Sequence, residues 1–240
     1  MQTLQKLNDR IYYLPYEEVS DRPTISYIKG DLFAIAIDAG NSKKHVELFY
    51  DELKKNNLPL PSLTIITHWH WDHTFGLKYT NCLSISTKKT YEKLEEVSKW
   101  KWTLEAMKKR EETKEDIAFC NEHILVEYPD LNKINVVNTN IQIENETIID
   151  LGGIEINLIP FPSTHCDDSL FVYIKDLKTL IAGDGDGEDF YNGGVYNNDK
   201  IEKQISFYNS LDYNTHIFSH FDITTKQDII AMLKEECNKL

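Results

Sequence analysis

The chain has 240 residues, 41% of them hydrophobic and 11% aromatic, and a formal net charge of −13. That length accommodates one large domain with a substantial core, and no Pro/Gly/Ser-rich stretch or charge block marks a linker, so a single domain over residues 1–240 is expected. No run approaches the roughly 18 apolar residues of a membrane span. The acidic balance would repel a phosphate backbone, so neither membrane nor nucleic acid is an expected partner.

Met1 to Arg10 lack the apolar stretch and small-residue cleavage site of a secretory signal. Cys82, Cys120, Cys166 and Cys237 form no C-x-x-C pair, which fits reduced thiols in a cytoplasm. Short apolar runs at Arg10 to Leu14, Thr24 to Ile28 and Phe33 to Ile37 predict successive antiparallel strands, the last ending in Asp38-Ala39-Gly40. A helix from about Lys43 to Asn56, stopped by Leu58-Pro59-Leu60-Pro61, leads to a buried strand at Leu63 to Ile66.

That strand delivers Thr67-His68-Trp69-His70-Trp71-Asp72-His73, three imidazoles and a carboxylate at the carboxyl end of an apolar run. A lone histidine is usually a surface or satisfied core residue, but chance would have to supply this whole set together with His165 and His220 downstream. Imidazole nitrogen and carboxylate oxygen suit zinc and also accept iron or manganese.

Cys82 to Ser86 reads as the next strand. Residues 88 to about 116 then carry Leu94, Val97, Trp100, Leu104 and Met107 at helical spacing, which predicts an amphipathic segment covering the core, or a lid whose Trp100 or Trp102 lines a pocket. Phe119 to Asp130 reads as irregular, and the whole forms a helical insertion at about 88–128. Strands follow at Val136-Val137, Glu146 to Leu151, Ile154 to Ile159 after a Gly152-Gly153 turn, Leu170 to Ile174 and Thr179 to Ala182. Helices at about Asp199 to Leu211 and Thr224 to Asn238, the second capped by Thr224, flank a strand at Thr215 to Ser219.

Three later segments repeat the construction of a strand ending in a ligand-type side chain: Ile159 to His165, Leu180 to Asp184, and His216 to His220. The order H-x-H-x-D-H, His, Asp, His resembles the metallo-β-lactamase-fold superfamily over nearly the whole chain. The resemblance implies an α+β fold, a four-layer αβ/βα sandwich with two mixed β-sheets, helices on the outer faces and a metal site at one edge. It implies His68, His70 and His165 as ligands of a first metal, Asp72, His73 and His220 of a second, and Asp184 as the bridge. Asp38 matches an acidic turn that supports such a site without binding metal.

Two departures stand out. His165 is followed by Cys166-Asp167-Asp168-Ser169 where relatives commonly have Thr and Gly, and His220 lies in Ser219-His220-Phe221-Asp222 rather than Pro-Gly-His-Gly. Cys166 reads as a packed thiol or as a thiol near the metal; Asp167 and Asp168 read as partners of ligating histidines or as turn residues. Asp186 and Asp189 read as loop residues, Tyr191 and Tyr196 as pocket border or loop, and His45, His123 and His216 as lying outside the metal set.

Two divalent cations a few ångströms apart bring the pKa of a shared water to about neutrality. Asp72 is the candidate to orient that nucleophile and relay a proton, besides binding metal. The expectation is a metal-dependent, dinuclear zinc hydrolase of a small ester, thioester, lactone or amide, acting on a small-molecule substrate. The alternative is a mononuclear iron dioxygenase of the persulfide-oxidising type. A true β-lactamase is disfavoured, since relatives with that activity generally carry Cys or Ser where Asp184 stands.

Overall fold

The computed structural model describes residues 2–239, and among them a seven-stranded and a six-stranded sheet form. The first sheet runs in chain order through β1 (Gln5–Lys6), β2 (Ile11–Leu14), β3 (Ile25–Lys29), β4 (Ala34–Ile37), β5 (Leu63–Ile65), β6 (Leu83–Thr87) and β7 (Ile141–Ile143). Pairing is antiparallel from β1 to β4 and parallel from β4 to β7. The second holds β8 (Thr147–Asp150), β9 (Glu155–Pro160), β10 (Leu170–Ile174), β11 (Thr179–Gly183), β12 (Thr215–Phe218) and β13 (Thr224–Thr225), antiparallel except where β11 meets β12. The helices are α1 (Lys43–Lys55), α2 (Trp71–Thr74), α3 (Lys88–Val97), α4 (Leu104–Thr113), α5 (Ala118–Glu127), α6 (Asn198–Ser210) and α7 (Lys226–Lys239).

The strand period of two explains the layering. In β4, Ile35 and Ile37 point between the sheets and meet Ile156, Leu158 and Val172 of the other, while Ala34 and Ala36 point outward onto Val46, Phe49 and Leu53 of α1. In β10, Val172 and Ile174 face inward and Phe171 and Tyr173 face Ile201 and Tyr208 of α6 and Leu233 of α7. Strands buried on both faces must be apolar throughout, which is why β4 and β10 read as continuous hydrophobic runs rather than alternating ones. The result is the four-layer αβ/βα sandwich, with each buried aliphatic side chain contributing about 1.5–3 kcal/mol.

Four expectations need correction. The helix over 88–116 is two helices, because Trp100 and Trp102 occupy the break and clasp Arg110, whose guanidinium carbon lies 4.5 and 4.7 Å from their ring centroids. Neither tryptophan lines the main cavity. Residues 118–127, expected to be irregular, form α5: Cys120 and Ile124, four apart, and then Tyr128 pack in one cluster with Trp71 and Phe75, and tertiary contact supplies what the weak local pattern lacks. Val136-Val137 is not a strand; the edge position beside β6 is taken by Ile141–Ile143. Thr224 pairs with His216 in β13, so α7 starts later and Thr225 is its cap, accepting from the Asp228 amide at 3.2 Å.

Candidate metal centre

The parallel strands β4, β5 and β6 end at one edge of the sandwich, and the second sheet brings β11 and β12 to the same edge. Loops after carboxyl ends of strands are where converging side chains can be held without breaking the ladders. His68 and His70 follow β5 directly, and Asp72 and His73 sit on the single turn of α2. His165 comes from the loop after β9, Asp184 immediately follows β11, and His220 lies two residues past β12.

The structure brings all seven together in two groups, His68, His70 and His165 in one, Asp72, His73, Asp184 and His220 in the other, each with ligand-type atoms within 4.8 Å of one another. Asp184 joins them. Its Oδ2 lies 3.3 Å from His73 Nε2, 3.4 Å from His220 Nε2, 3.9 Å from His68 Nε2 and 4.0 Å from His165 Nε2. Asp72 Oδ2 stands 3.0 Å from both His73 Nε2 and His220 Nε2.

The atoms on the far side of each ring decide which nitrogen is free. His73 Nδ1 donates to Asp38 Oδ2 at 2.7 Å, His165 Nδ1 to the Glu188 carbonyl at 2.8 Å, and His68 Nδ1 to Thr67 Oγ1 at 3.0 Å. These partners hold the Nδ1 proton in place, so that in the neutral ring it is Nε2 that presents a lone pair inward, the arrangement that ligating histidines require. His68 Nε2, His73 Nε2 and Asp184 Oδ1 are buried without a hydrogen-bond partner among the described residues, and His70 Nδ1 faces His165 Nε2 at 2.9 Å. Buried polar atoms left unpaired cost about 1–3 kcal/mol each, so a set aimed at one point fits a cation that would satisfy them together.

The electrostatics of the two groups differ. Burial first, and neighbouring imidazoles second, push His68 and His70 well below the ordinary imidazole value. Burial acts the same way on His73 and His220, but the carboxylates of Asp72 and Asp184 outweigh it and hold both well above that value. Burial in turn opposes ionisation of Asp72 and Asp184, and the facing imidazoles reverse that, keeping both below the usual carboxylate range. Without metal, the second group therefore carries protons where the first carries bare lone pairs.

Around this centre lies a supporting frame. Asp38, at a left-handed φ of 66°, accepts from the Thr67 amide at 2.8 Å and from the Thr67 hydroxyl, besides His73. Gly183, at φ 58°, brings the chain so near Thr67 that an added Cβ would lie 2.6 Å from its Oγ1. Asp168 is buried and accepts from the Trp69 amide at 2.9 Å and Thr90 Oγ1 at 2.8 Å, pinning the loop that carries His68 and His70, whereas Asp167 is a surface residue paired with Lys200. Cys166 is packed against Ser169, and burial pushes its thiol well above the ordinary range.

Asp186 lies in the turn after β11, as expected, and outside both metal groups, but it is fully buried: it bonds His216 Nε2 at 2.6 Å, Tyr208 at 2.7 Å and Gln204 at 2.9 Å. Three partners from α6 and β12 thus fasten the turn that presents Asp184. His216 stays outside both groups, as do His45 and His123.

A cavity of about 480 Å³ opens onto the centre. Asp72, His70, His165, Asp184 and His220 form its floor, and Ile117, Phe119, Cys120 and His123, from the start of α5, form a wall. Tyr191 lines it too, its ring 5.0 Å from that of His70 and tilted 41° to it, and it donates to Asp116 Oδ1 at 3.1 Å. Asp21 was not singled out by sequence: it is buried at φ 50° with Oδ1 3.6 Å from His220 Nδ1, and burial together with Asp72 pushes its pKa up to about 7. No local pattern marks it, since its position follows from the β2–β3 loop folding over the centre.

A family model described as the metallo-beta-lactamase superfamily matches residues 23–190. No curated protein matches the chain. Among solved structures, a metallo-beta-lactamase from Pontibacter korlensis is 14% identical with TM-score 0.66 and covers 98% of this chain and 99% of its own. The DIM-1 metallo-beta-lactamase is 19% identical with TM-score 0.65 over 99% and 95%. The stereoselective inverting sec-alkylsulfatase Pisa1 from Pseudomonas sp. is 13% identical with TM-score 0.68 over 99% of this chain and 41% of that one. At these identities the likeness is one of fold.

Proposed function

From a chain that belongs to the metallo-beta-lactamase superfamily, we propose a metal-dependent hydrolase that holds two zinc ions and cleaves a small ester, thioester, lactone or amide. The observation that carries this reading is Asp184 Oδ2, which lies within 4.0 Å of imidazole nitrogens from both histidine groups. In this reading His68, His70 and His165 hold one ion, Asp72, His73 and His220 the other, and Asp184 both. Bound there, two divalent cations would supply water ionised near neutral pH and polarise the scissile carbonyl.

The remaining chemistry belongs to the chain. Asp72 lines the cavity and makes both of its imidazole contacts through Oδ2; it orients the attacking water and passes the proton to the leaving group as the acyl bond breaks. Asp38, Thr67 and the Glu188 carbonyl keep the rings aimed, which preserves near-attack geometry without reorganisation. Phe119, Phe190 and Tyr191 exclude water beside the reacting bond. Asp184, rather than Cys or Ser, steers the reading away from β-lactam hydrolysis. Four free cysteines accord with a reducing cytoplasm, and no described helix is long and apolar enough to cross a membrane.

Elemental analysis of protein purified without added metal or chelator tests the reading. About two zinc ions per chain, with chelator-sensitive ester hydrolysis that zinc restores, is the expected result. About one iron per chain, with oxygen uptake, would move the assignment to the dioxygenase, and failure to take up zinc at all would remove the metal assignment.

A further inference from the structure

We propose that the substrate carries an apolar body bearing a positive charge, or no charge, and that the cavity selects against anions. This rests on the hydrolase reading and names the substrate class of the same site.

Away from the seven ligand-type residues, the polar side chains at the cavity mouth are dominated by acids. Glu18 and Glu188 stand at the rim, and Asp21 lies deeper against His220. No lysine or arginine is among the described residues lining it. Arg22, next in sequence to Asp21, is turned away into a pair with Glu127 at 2.9 Å. The one further basic side chain is His123, whose Nδ1 is engaged by the Phe119 carbonyl at 2.8 Å. Lys89, Lys93 and Lys114 line an adjoining groove on the other side of Tyr191, which shares His70, His165 and Tyr191 with the cavity, and Lys93 lies 5.0 Å over Trp69. The lysines thus stand across Tyr191 from the mouth, and none lines the mouth itself.

The apolar part of the mouth is equally specific. Phe119, Phe190 and Phe221 keep 51%, 47% and 59% of their surface exposed while lining the cavity. Three half-exposed aromatic rings on one rim form a patch of the kind that marks a ligand site. Aromatic faces bind apolar groups and, through their quadrupole, cations; adjacent carboxylates add to the second effect and oppose an anion. Two zinc ions at the floor would attract an anion there, and Asp72 and Asp184 offset part of that charge, so the selection acts on the group a substrate leaves at the mouth: rim and ring rank such groups of equal shape as cation, then neutral, then anion.

The test uses para-nitrophenyl esters of trimethylammoniobutanoic, dimethylhexanoic and glutaric acid, matched in chain length but ending in a cation, a tert-butyl group and a carboxylate. Zinc-loaded full-length protein should show kcat/KM falling by about tenfold from cation to anion at low ionic strength, with the spread narrowing in salt. The double variant Glu18→Gln, Glu188→Gln should bring the ratio toward one. Equal rates for the three, or a preference for glutarate, which would move entry to the lysine groove, overturns the inference and leaves the hydrolase reading in place. A second readout needs no turnover: calorimetric binding of benzyltrimethylammonium should weaken several-fold in the double variant. Binding with that loss but no ester hydrolysis would sink the hydrolase reading while sustaining charge selection; no binding of the cation overturns the inference whatever the kinetics.

Discussion

Replacing Asp38 by Asn isolates what the frame contributes to one half of the centre. Asn keeps the shape and tolerates the left-handed φ of 66°, so the turn after β4 is preserved. Oδ1 still accepts the Thr67 amide at 2.8 Å, but an amide NH2 now replaces Oδ2, 2.7 Å from His73 Nδ1. Two donors then face each other, and the proton must move to His73 Nε2, the atom 3.0 Å from Asp72 and 3.3 Å from Asp184. A ring protonated there cannot ligate. Loss of such an outer partner costs about 10–100-fold in metal affinity, or about 1.4–2.7 kcal/mol. Calorimetric titration of chelator-stripped protein with zinc should show two binding steps, one weakened by that factor and one, belonging to the His68–His70–His165 group, unchanged. Equal weakening of both steps, or of neither, would refute the tautomer argument.

Proton release should separate the groups as well. His73 and His220 have raised pKa values in the metal-free protein, so zinc must displace protons from them; affinity at that group should rise with pH as they deprotonate, while the group holding His68 and His70 loads at neutral pH without comparable release. Calorimetry in buffers of differing ionisation enthalpy measures the difference. The same raised values make the two imidazoles a stabilising contribution in metal-free protein that is present below their unfolded pKa and lost as pH climbs through the folded one, which urea midpoints at rising pH will register. Asp168→Ala should orphan the Trp69 amide, at about 1–3 kcal/mol, while the Thr90 hydroxyl keeps the Thr87 hydroxyl at 2.9 Å, and should weaken zinc binding by loosening the His68–His70 loop; unchanged denaturation and zinc affinity would dispose of that role. Gly183→Ala meets a positive φ and Thr67 Oγ1 at 2.6 Å from the new Cβ, so thermal unfolding should drop by at least the ~1–2 kcal/mol of a left-handed residue, with zinc uptake impaired at both groups. Chelation should remove about 2.7 kcal/mol where free zinc stands at 100 times its dissociation constant, read as a fall in Tm.

The layered fold and the seven candidate ligands were legible in the chain because both rest on local rules. Continuous apolar runs such as Ala34 to Ile37 and Leu170 to Ile174 encode strands covered on both faces, and His68 to His73 lies within one turn of chain, where proximity needs no tertiary information. The three distant ligands each follow a recognisable strand, so a common sheet edge was readable before any distance was.

Tertiary structure decided the rest. Helix α5 is held by Trp71 and Phe75 rather than by its own weak periodicity, and β7 by pairing with β6, so neither was visible locally. Asp186 reads as one of several loop carboxylates until α6 and β12 close round it, and Asp21 reaches His220 across 199 positions through a loop whose path no neighbouring residue specifies. The acidic, aromatic mouth has the same origin. Glu18, Phe119, Glu188 and Phe221 come from four separate segments, and long-range packing alone sets which charges share one cavity.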